Sequence, residues 1–517
     1  MSEQTGELYP GAVAARRPDA VAHVMGATGD AMTYRELDDR SFRLAGALGA
    51  AGLEPGDHMA LLMENQARFF EVCWAALRSG LYCTPVSTAL TADEAAYIVD
   101  DCGARAVVVS AALGELAAEV VAKTQPNVSL AVGGAVAGCE SYEDLVGVEP
   151  TDPPPHEPEG SMMLYSSGTT GRPKGVKRPL SGKPVGSTNP LAPFLPHVGL
   201  DSSTVYLSTA PLYHGAPLGW SLATQRLGGA VVVMERFDAV EALRLIEEHR
   251  VTLAQFVPTM FSRLLDLPEA ERSRRDLSSL RKVIHAGAPC PLSVKRRMIE
   301  WLGPIVDEYY SGTEGSGITY ITSQEWLEHP GSVGRPILGH VHIVDDQGAV
   351  APAGTPGAVY FSSGGTYEYH DDPEATARRQ DERGWTTLDD MGWLDDDGYL
   401  HLIDRRAHMI VSGGVNISPT EVENLLLDHP AVADVAVIGV PNEEFGEEVK
   451  AVVVPATPGD GAELPDELVS WCRQRLAGYK CPRSVDVVAE LPRSDTGKLL
   501  KRVLREHYWK GHQTRIV

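Results

Sequence analysis

Tyr165-Ser166-Ser167-Gly168-Thr169-Thr170-Gly171-Arg172-Pro173-Lys174-Gly175 follows directly on an apolar stretch at 161–164. Glycine and small hydroxyl residues let a backbone approach a phosphate closely and aim several N–H groups at it. The hydroxyls add donors, and Lys174 adds a compact positive charge. A plain Gly/Ser hairpin is the alternative, but eleven residues of this composition after a buried strand exceed what a hairpin needs. The stretch fits neither the Walker A pattern G-x-x-x-x-G-K-[ST] nor the dinucleotide fingerprint G-x-G-x-x-G.

On either side of it, apolar runs alternate with helical patterns. Upstream, 57–63, 81–87 and 104–110 read as strands, with helices over 67–80 and 91–103. Downstream, 205–211, 230–237, 252–258 and 282–288 read as strands, with a helix over 238–250. This alternation predicts a parallel sheet with crossover helices. Residues 148–160, dense in proline and acid, read as a surface connection. From about 332 the texture changes to short strands between Gly/Pro turns, and after 406 a fresh α+β pattern begins.

The chain has 517 residues, enough for about three domain-sized units. Its 43% hydrophobic and 22% charged residues exclude global disorder. The net charge of −25 argues against nucleic acid or an anionic membrane as partner. Residues 404–517 carry 14 Lys/Arg against 17 Asp/Glu, so the excess acid lies upstream. Seven cysteines without C-x-x-C spacing argue against a disulfide framework and suit a reducing cytoplasm. The N-terminus lacks the apolar run of a secretory leader, and no run approaches the 18 apolar residues of a membrane span.

The 165–175 stretch resembles the signature of the adenylate-forming superfamily: acyl-CoA synthetases, peptide-synthetase adenylation domains and beetle luciferases. The resemblance recurs in order from about residue 30 to 505. Pro211-Leu212-Tyr213-His214-Gly215-Ala216-Pro217 is similar to the motif whose aromatic or histidine residue lies between acyl pocket and thiol entry, implying a gate at His214. His285-Ala286-Gly287-Ala288-Pro289 resembles the segment lining the acyl pocket and one face of the adenine. Tyr309-Tyr310-Ser311-Gly312-Thr313-Glu314 resembles Y-G-x-T-E, with Ser311 where glycine is usual. It implies adenine stacking on Tyr310, a phosphate contact from Thr313 and Mg²⁺ at Glu314, which suits a metal content with one carboxylate plus phosphate oxygens. Asp390 and Arg405 match the ribose-binding positions, with Asp389 where glycine is common and open to a shared role. The hinge falls at Ala407, where the family often has Lys or Asp. Gly413-Gly414 matches the loop that swings toward the acceptor thiol, and Lys498, in P-R-x-x-x-G-K, matches the catalytic lysine of adenylation.

The resemblance thus implies an α/β fold with a large N-terminal domain, 1–403, of stacked α/β sheets plus a β-barrel-like subdomain. A small mobile α+β C-terminal domain, 404–517, would follow. The implied reaction is ATP-dependent activation of a small-molecule carboxylic acid to an acyl-adenylate, with loss of pyrophosphate. Ser166, Ser167, Gly168, Thr169, Thr170, Gly171 and Lys174 would hold the phosphates, with Gly287, Ala288, Tyr310 and Ser311 around the nucleoside. His214, Trp220, Phe256, His285, Ala286 and Gly287 are the acid-pocket candidates. Coenzyme A is the first choice of acceptor. An amine, an amino acid or a carrier-protein thiol is the alternative, and a non-catalytic adenylate-binding protein the remote one. A cytoplasmic monomer or homodimer is expected.

Overall fold

The strands His58–Leu62 and Tyr82–Val86 are buried at every residue, as strands covered on both faces must be. With Ala104–Ser110, Val128–Val132, Glu140–Ser141 and Ser161–Met162 they form a six-stranded parallel sheet. The crossover helix Phe69–Arg78 is buried on all sides, and its Phe69, Val72 and Trp74 share one core with Tyr206, Trp220 and Ile284 of the next sheet. The crossover Ala92–Asp101 opens with a capping box in which Thr91 and Glu94 bond each other's backbone N–H groups. The computed structural model describes residues 8–147, 157–166, 173–405, 409–412, 415–442, 445–457, 464–494, 497 and 499–510.

Among the described residues the second sheet has thirteen strands, with Ala31–Thr33 at one edge antiparallel to Val21–Met25. Its parallel part runs, in spatial order, Val21–Met25, Ala230–Val233, Val205–Ser208, Leu253–Phe256, Lys282–His285 and Val306–Tyr310. At Val306–Tyr310 the direction changes. Ile318–Ile321, Ser332–Leu338, Leu400–Arg405, Thr386–Leu394, Gly357–Ser362 and His340–Val344 follow, all antiparallel. The barrel-like character expected from 332 onward therefore takes the form of an antiparallel extension of the parallel sheet. Four of its pairings carry register shifts, which bend the strands. A separate small antiparallel sheet joins Leu164–Ser166, Lys174–Lys177 and Glu368–Tyr369.

Past Arg405 the long hairpin Val432–Asn442 and Gly446–Pro455 pairs through its second strand with both Ser484–Val487, in parallel, and Ile410–Ser412, antiparallel. Helices Pro419–Leu427 and Leu464–Arg473 bury Val422, Leu426, Leu468 and Cys472 against Val435, Val437, Ala451 and Val453. Alternate residues Ala436 and Val452 face the helix Lys501–Trp509 instead. Among the described residues, no helix is long and apolar enough to cross a membrane.

One buried group makes this fold acid-sensitive. His23 on the strand Val21–Met25 is wholly buried, its ring 5.1 Å from that of Phe70. Burial lowers its pKa from the ordinary 6.5 to about 4. Below pH 6.5 the unfolded chain takes up a proton that the folded chain refuses. Stability is then lost as pH falls from 6.5 toward 4, by up to roughly 3 kcal/mol. His23→Leu should flatten that part of the profile, read as the urea midpoint at pH 7.5 and pH 5. An unchanged pH dependence would show that other groups set it.

Candidate functional site

Parallel strands deliver their carboxyl ends to one edge of a sheet, and ligands bind in the crevice outside that edge. Here the turns after Val205–Ser208, Leu253–Phe256, Lys282–His285 and Val306–Tyr310 share one edge. They bring His214, Ala286, Gly287, Ala288 and the segment Ser311–Glu314 to one end of the sheet. Gly287 has φ +90°, yet a Cβ built there would come no nearer than 3.8 Å to Val257. The left-handed conformation is what requires glycine there.

The phosphate-loop candidate closes an antiparallel hairpin, in which Lys174 pairs with Ser166 and Gly175 with Tyr165. Hairpin and phosphate cradle are compatible, since the strands fix only the ends of the loop. Ser167, Gly168, Thr169, Thr170 and Gly171 lie outside the described residues. Lys174 Nζ donates to Asp372 Oδ2 at 2.6 Å and stands 5.7 Å from the centre of the Tyr369 ring. The Tyr369 hydroxyl donates to Glu314 Oε1 at 2.8 Å. Glu314 is 9% exposed, and the Arg178 guanidinium donates to the neighbouring Thr313 carbonyl at 3.0 Å. Burial lowers the Arg178 pKa, an effect that the Glu314 carboxylate opposes. Among the described residues no group of three or more His, Cys, Asp or Glu could hold a metal unaided. One carboxylate completed by phosphate oxygens and water is what magnesium accepts, so Glu314 fits that ion in the presence of nucleotide.

The nucleoside candidates also converge. Tyr310 donates its hydroxyl to Asp390 Oδ2 at 2.5 Å, and Asp390 pairs in register with Arg405 on the next strand. The Arg405 side chain lies outside the described residues. Ser311 donates to the Gly317 carbonyl at 2.9 Å, so its hydroxyl tightens its own loop. Asp389 has φ +64°, the left-handed region that explains why glycine is usual there. Its carboxylate pairs with Arg379.

The acid-pocket candidates do not all meet. Side chains alternate along a strand. Ile284 faces the core that contains Trp220, while Val283 and Phe256 face the opposite core with Phe261. His285, two residues from Val283, takes the same side: it is wholly buried, its ring 5.2 Å from that of Phe261. Phe256 and His285 are thus corrected from pocket lining to packing on the far face. His285 stands 3.5 Å from Glu308, which is held at 2.5 Å by the wholly buried Lys295. Burial together with Lys295 pushes the imidazole well below the ordinary histidine range, so it is neutral. Trp220 lies on the helix Gly215–Arg226, whose N-cap position is His214, and is buried in the first of these cores. Its ring lies 5.0 Å from Phe194, which lies 5.1 Å from Tyr309.

From the C-terminal domain, Gly413 and Gly414 lie outside the described residues, between the paired strands Ile410–Ser412 and Val415–Ile417. Ala407 and Lys498 also lie outside them. Gly497 is described, and a Cβ there would collide with Thr259 at the start of the helix Pro258–Leu265. The P-R-x-x-x-G-K turn therefore abuts the carboxyl edge of the parallel sheet. Arg493 shapes that turn, donating to the Gly497 carbonyl at 2.6 Å and to both Asp434 oxygens at 2.7 Å. Three residues at the site escape the sequence analysis, Arg178, Tyr369 and Asp372, while Arg493 is the arginine of the P-R-x-x-x-G-K motif. A faint signal exists for Asp372 alone, since Asp-Pro is a helix-start pattern.

Residues 12–368 match the family model described as "AMP-binding enzyme", and 421–498 match the "AMP-binding enzyme C-terminal domain". A feruloyl-CoA synthase of Amycolatopsis sp is 36% identical over 484 residues, 93% of this chain and 94% of that protein. The long-chain-fatty-acid–CoA ligase FadD13 of Mycobacterium tuberculosis is 32% identical, covering 95% of this chain and 96% of its own. The solved structure of the amide bond synthetase McbA from Marinactinospora thermotolerans superposes with a TM-score of 0.82. It shows 29% identity over 95% of this chain and 97% of that one.

Proposed function

Because the chain belongs to the AMP-binding enzyme family, we propose that it activates a carboxylic acid with ATP, releases pyrophosphate and passes the acyl group from the adenylate to coenzyme A. The observation that carries this reading is the convergence of Lys174 and Glu314 on Tyr369, at the edge where Tyr310 and Asp390 also meet. Tyr310, Asp390 and Arg405 hold the nucleoside. Lys174 neutralises the outer phosphates, and Thr313 adds a contact there. Magnesium, held by Glu314 and phosphate oxygens, would supply further charge compensation. Lys498 joins the carboxylate to the α-phosphate. The carboxylate oxygen attacks the α-phosphorus, the bond to the β-phosphate oxygen breaks, and pyrophosphate departs. The domain division at 403/404 belongs to this reading, supported by family matches that pause between 368 and 421. The smaller domain then turns about 405–407 and brings Gly413–Gly414 to the acceptor channel beside His214. A cytoplasmic setting belongs to the same reading.

The relatives act on different acids, and the aromatic packing favours a compact one. Phe194, Trp220 and Tyr309, with Tyr320 6.2 Å from Phe194, form one aromatic cluster. A pyrophosphate-release screen is expected to rank ring-bearing acids at least about tenfold above a sixteen-carbon fatty acid, the discrimination that one or two misfitting methylenes produce. Mass spectrometry with coenzyme A should then show the thioester. The likeness to an amide bond synthetase gives the second reading: amide from a supplied amine, with no acyl-CoA, would replace the acceptor assigned here.

A further inference from the structure

We propose that Asp372 is an internal competitor of the nucleotide: its carboxylate occupies Lys174 in the free enzyme and yields it when the triphosphate binds. The proposal rests on the reading of Lys174 as a phosphate ligand.

The contact is built into the fold. Tyr369 pairs with Val176 and Glu368 with Lys177, so the segment leading to Asp372 is stitched to the strand that Lys174 begins. Residues three apart on that segment hold the two proposed phosphate-side groups, Tyr369 the Glu314 carboxylate and Asp372 the Lys174 ammonium. Asp372 divides its oxygens. Oδ1 accepts the Ala375 N–H at 2.8 Å, capping the short helix Pro373–Arg378, and Oδ2 takes Lys174. The cap holds the carboxylate in place whether or not the lysine is there.

The Lys174 and Asp372 side chains are 28% and 35% exposed, so water weakens the pair and a multiply charged triphosphate outcompetes it. What the pair supplies in the meantime is order. A lysine has four rotatable bonds, and holding it near its working position lowers the entropic cost of binding. Against that gain stands the energy of releasing it. The exposed geometry makes the release term small but real, and the competition predicts its sign.

Asp372→Asn separates the two roles, because asparagine caps a helix as well as aspartate does but carries no charge. Calorimetry of Mg-ATP binding in the absence of any acid should show about two- to fivefold tighter binding, with the melting temperature unchanged. In a Lys174→Ala background the same substitution should have no effect on binding. Unchanged or weaker binding by Asp372→Asn would overturn the proposal; weaker binding would mean that Asp372 assists the nucleotide. If the asparagine variant melts early, Asp372→Ser, which also caps, decides by the same criterion. If Lys174→Ala alone leaves nucleotide affinity intact, the phosphate reading of Lys174 fails, and the competition with it.

Discussion

Lys498→Ala is expected to slow pyrophosphate release by about 10²–10³-fold while leaving thioester formation from supplied acyl-adenylate nearly intact. The asymmetry follows from the chemistry of the first step. A carboxylate must approach a polyanion, and two unit charges 4 Å apart repel by about 4 kcal/mol at an effective dielectric near 20. A lysine bridging both removes much of that repulsion where charge redistributes. In the second step a thiolate attacks an acyl carbon whose leaving group is already AMP, and the same lysine has no task. Gly497, the residue before it, is packed against Thr259 at the carboxyl edge of the sheet. Single-turnover assays of each half-reaction measure the split. Equal loss in both would end the model of one domain serving two states.

The largest effect on stability is expected from Lys295→Ala. Lys295 and Glu308 form a buried ion pair, with Lys295 also 4.9 Å from the centre of the Trp326 ring. Burial pushes the Glu308 carboxyl up, and Lys295 opposes that shift. Removing the ammonium strands a carboxylate in the core, which costs about 3–5 kcal/mol. The double variant Lys295→Met with Glu308→Leu removes both charges and should recover most of the loss. Urea unfolding followed by tryptophan fluorescence reads both. The loss should extend to ATP affinity, since Glu308 is two residues from Tyr310 on the same strand. A single variant as stable as the parent would show that water reaches the pair.

The strand–helix order was legible because buried parallel strands are apolar at nearly every position and their crossover helices are amphipathic. The convergence of Tyr310 with Asp390 was legible only through resemblance, since 80 residues separate them and no periodicity joins them. Two failures have physical causes. The resemblance places Phe256 and His285 at the pocket, but a run such as Lys282-Val283-Ile284-His285 does not declare which face each residue takes; the register against both neighbours decides it. Tyr369 and Asp372 were missed because their part depends on a two-residue strand pairing almost 200 residues from its partner, too short to leave a pattern. Asp389 is an intermediate case: its departure from glycine was visible, whereas the left-handed backbone and the Arg379 pair that accommodate it were not.

The thirteen-stranded sheet also says where related chains can be recombined. A crossover placed near 332, where the texture of the sequence changes, would cut through a hydrogen-bonded lattice and leave Ile318–Ile321 with a foreign neighbour in register. A crossover after Arg405 parts no strand from its sheet, because the pairings beyond that residue belong to a separate sheet. Chimeras that exchange the smaller domain whole should therefore inherit an intact nucleotide site from one parent and an acceptor-facing surface from the other. The change in texture near 332 falls inside the thirteen-stranded sheet, whereas the fresh pattern after 406 begins where its pairing ends.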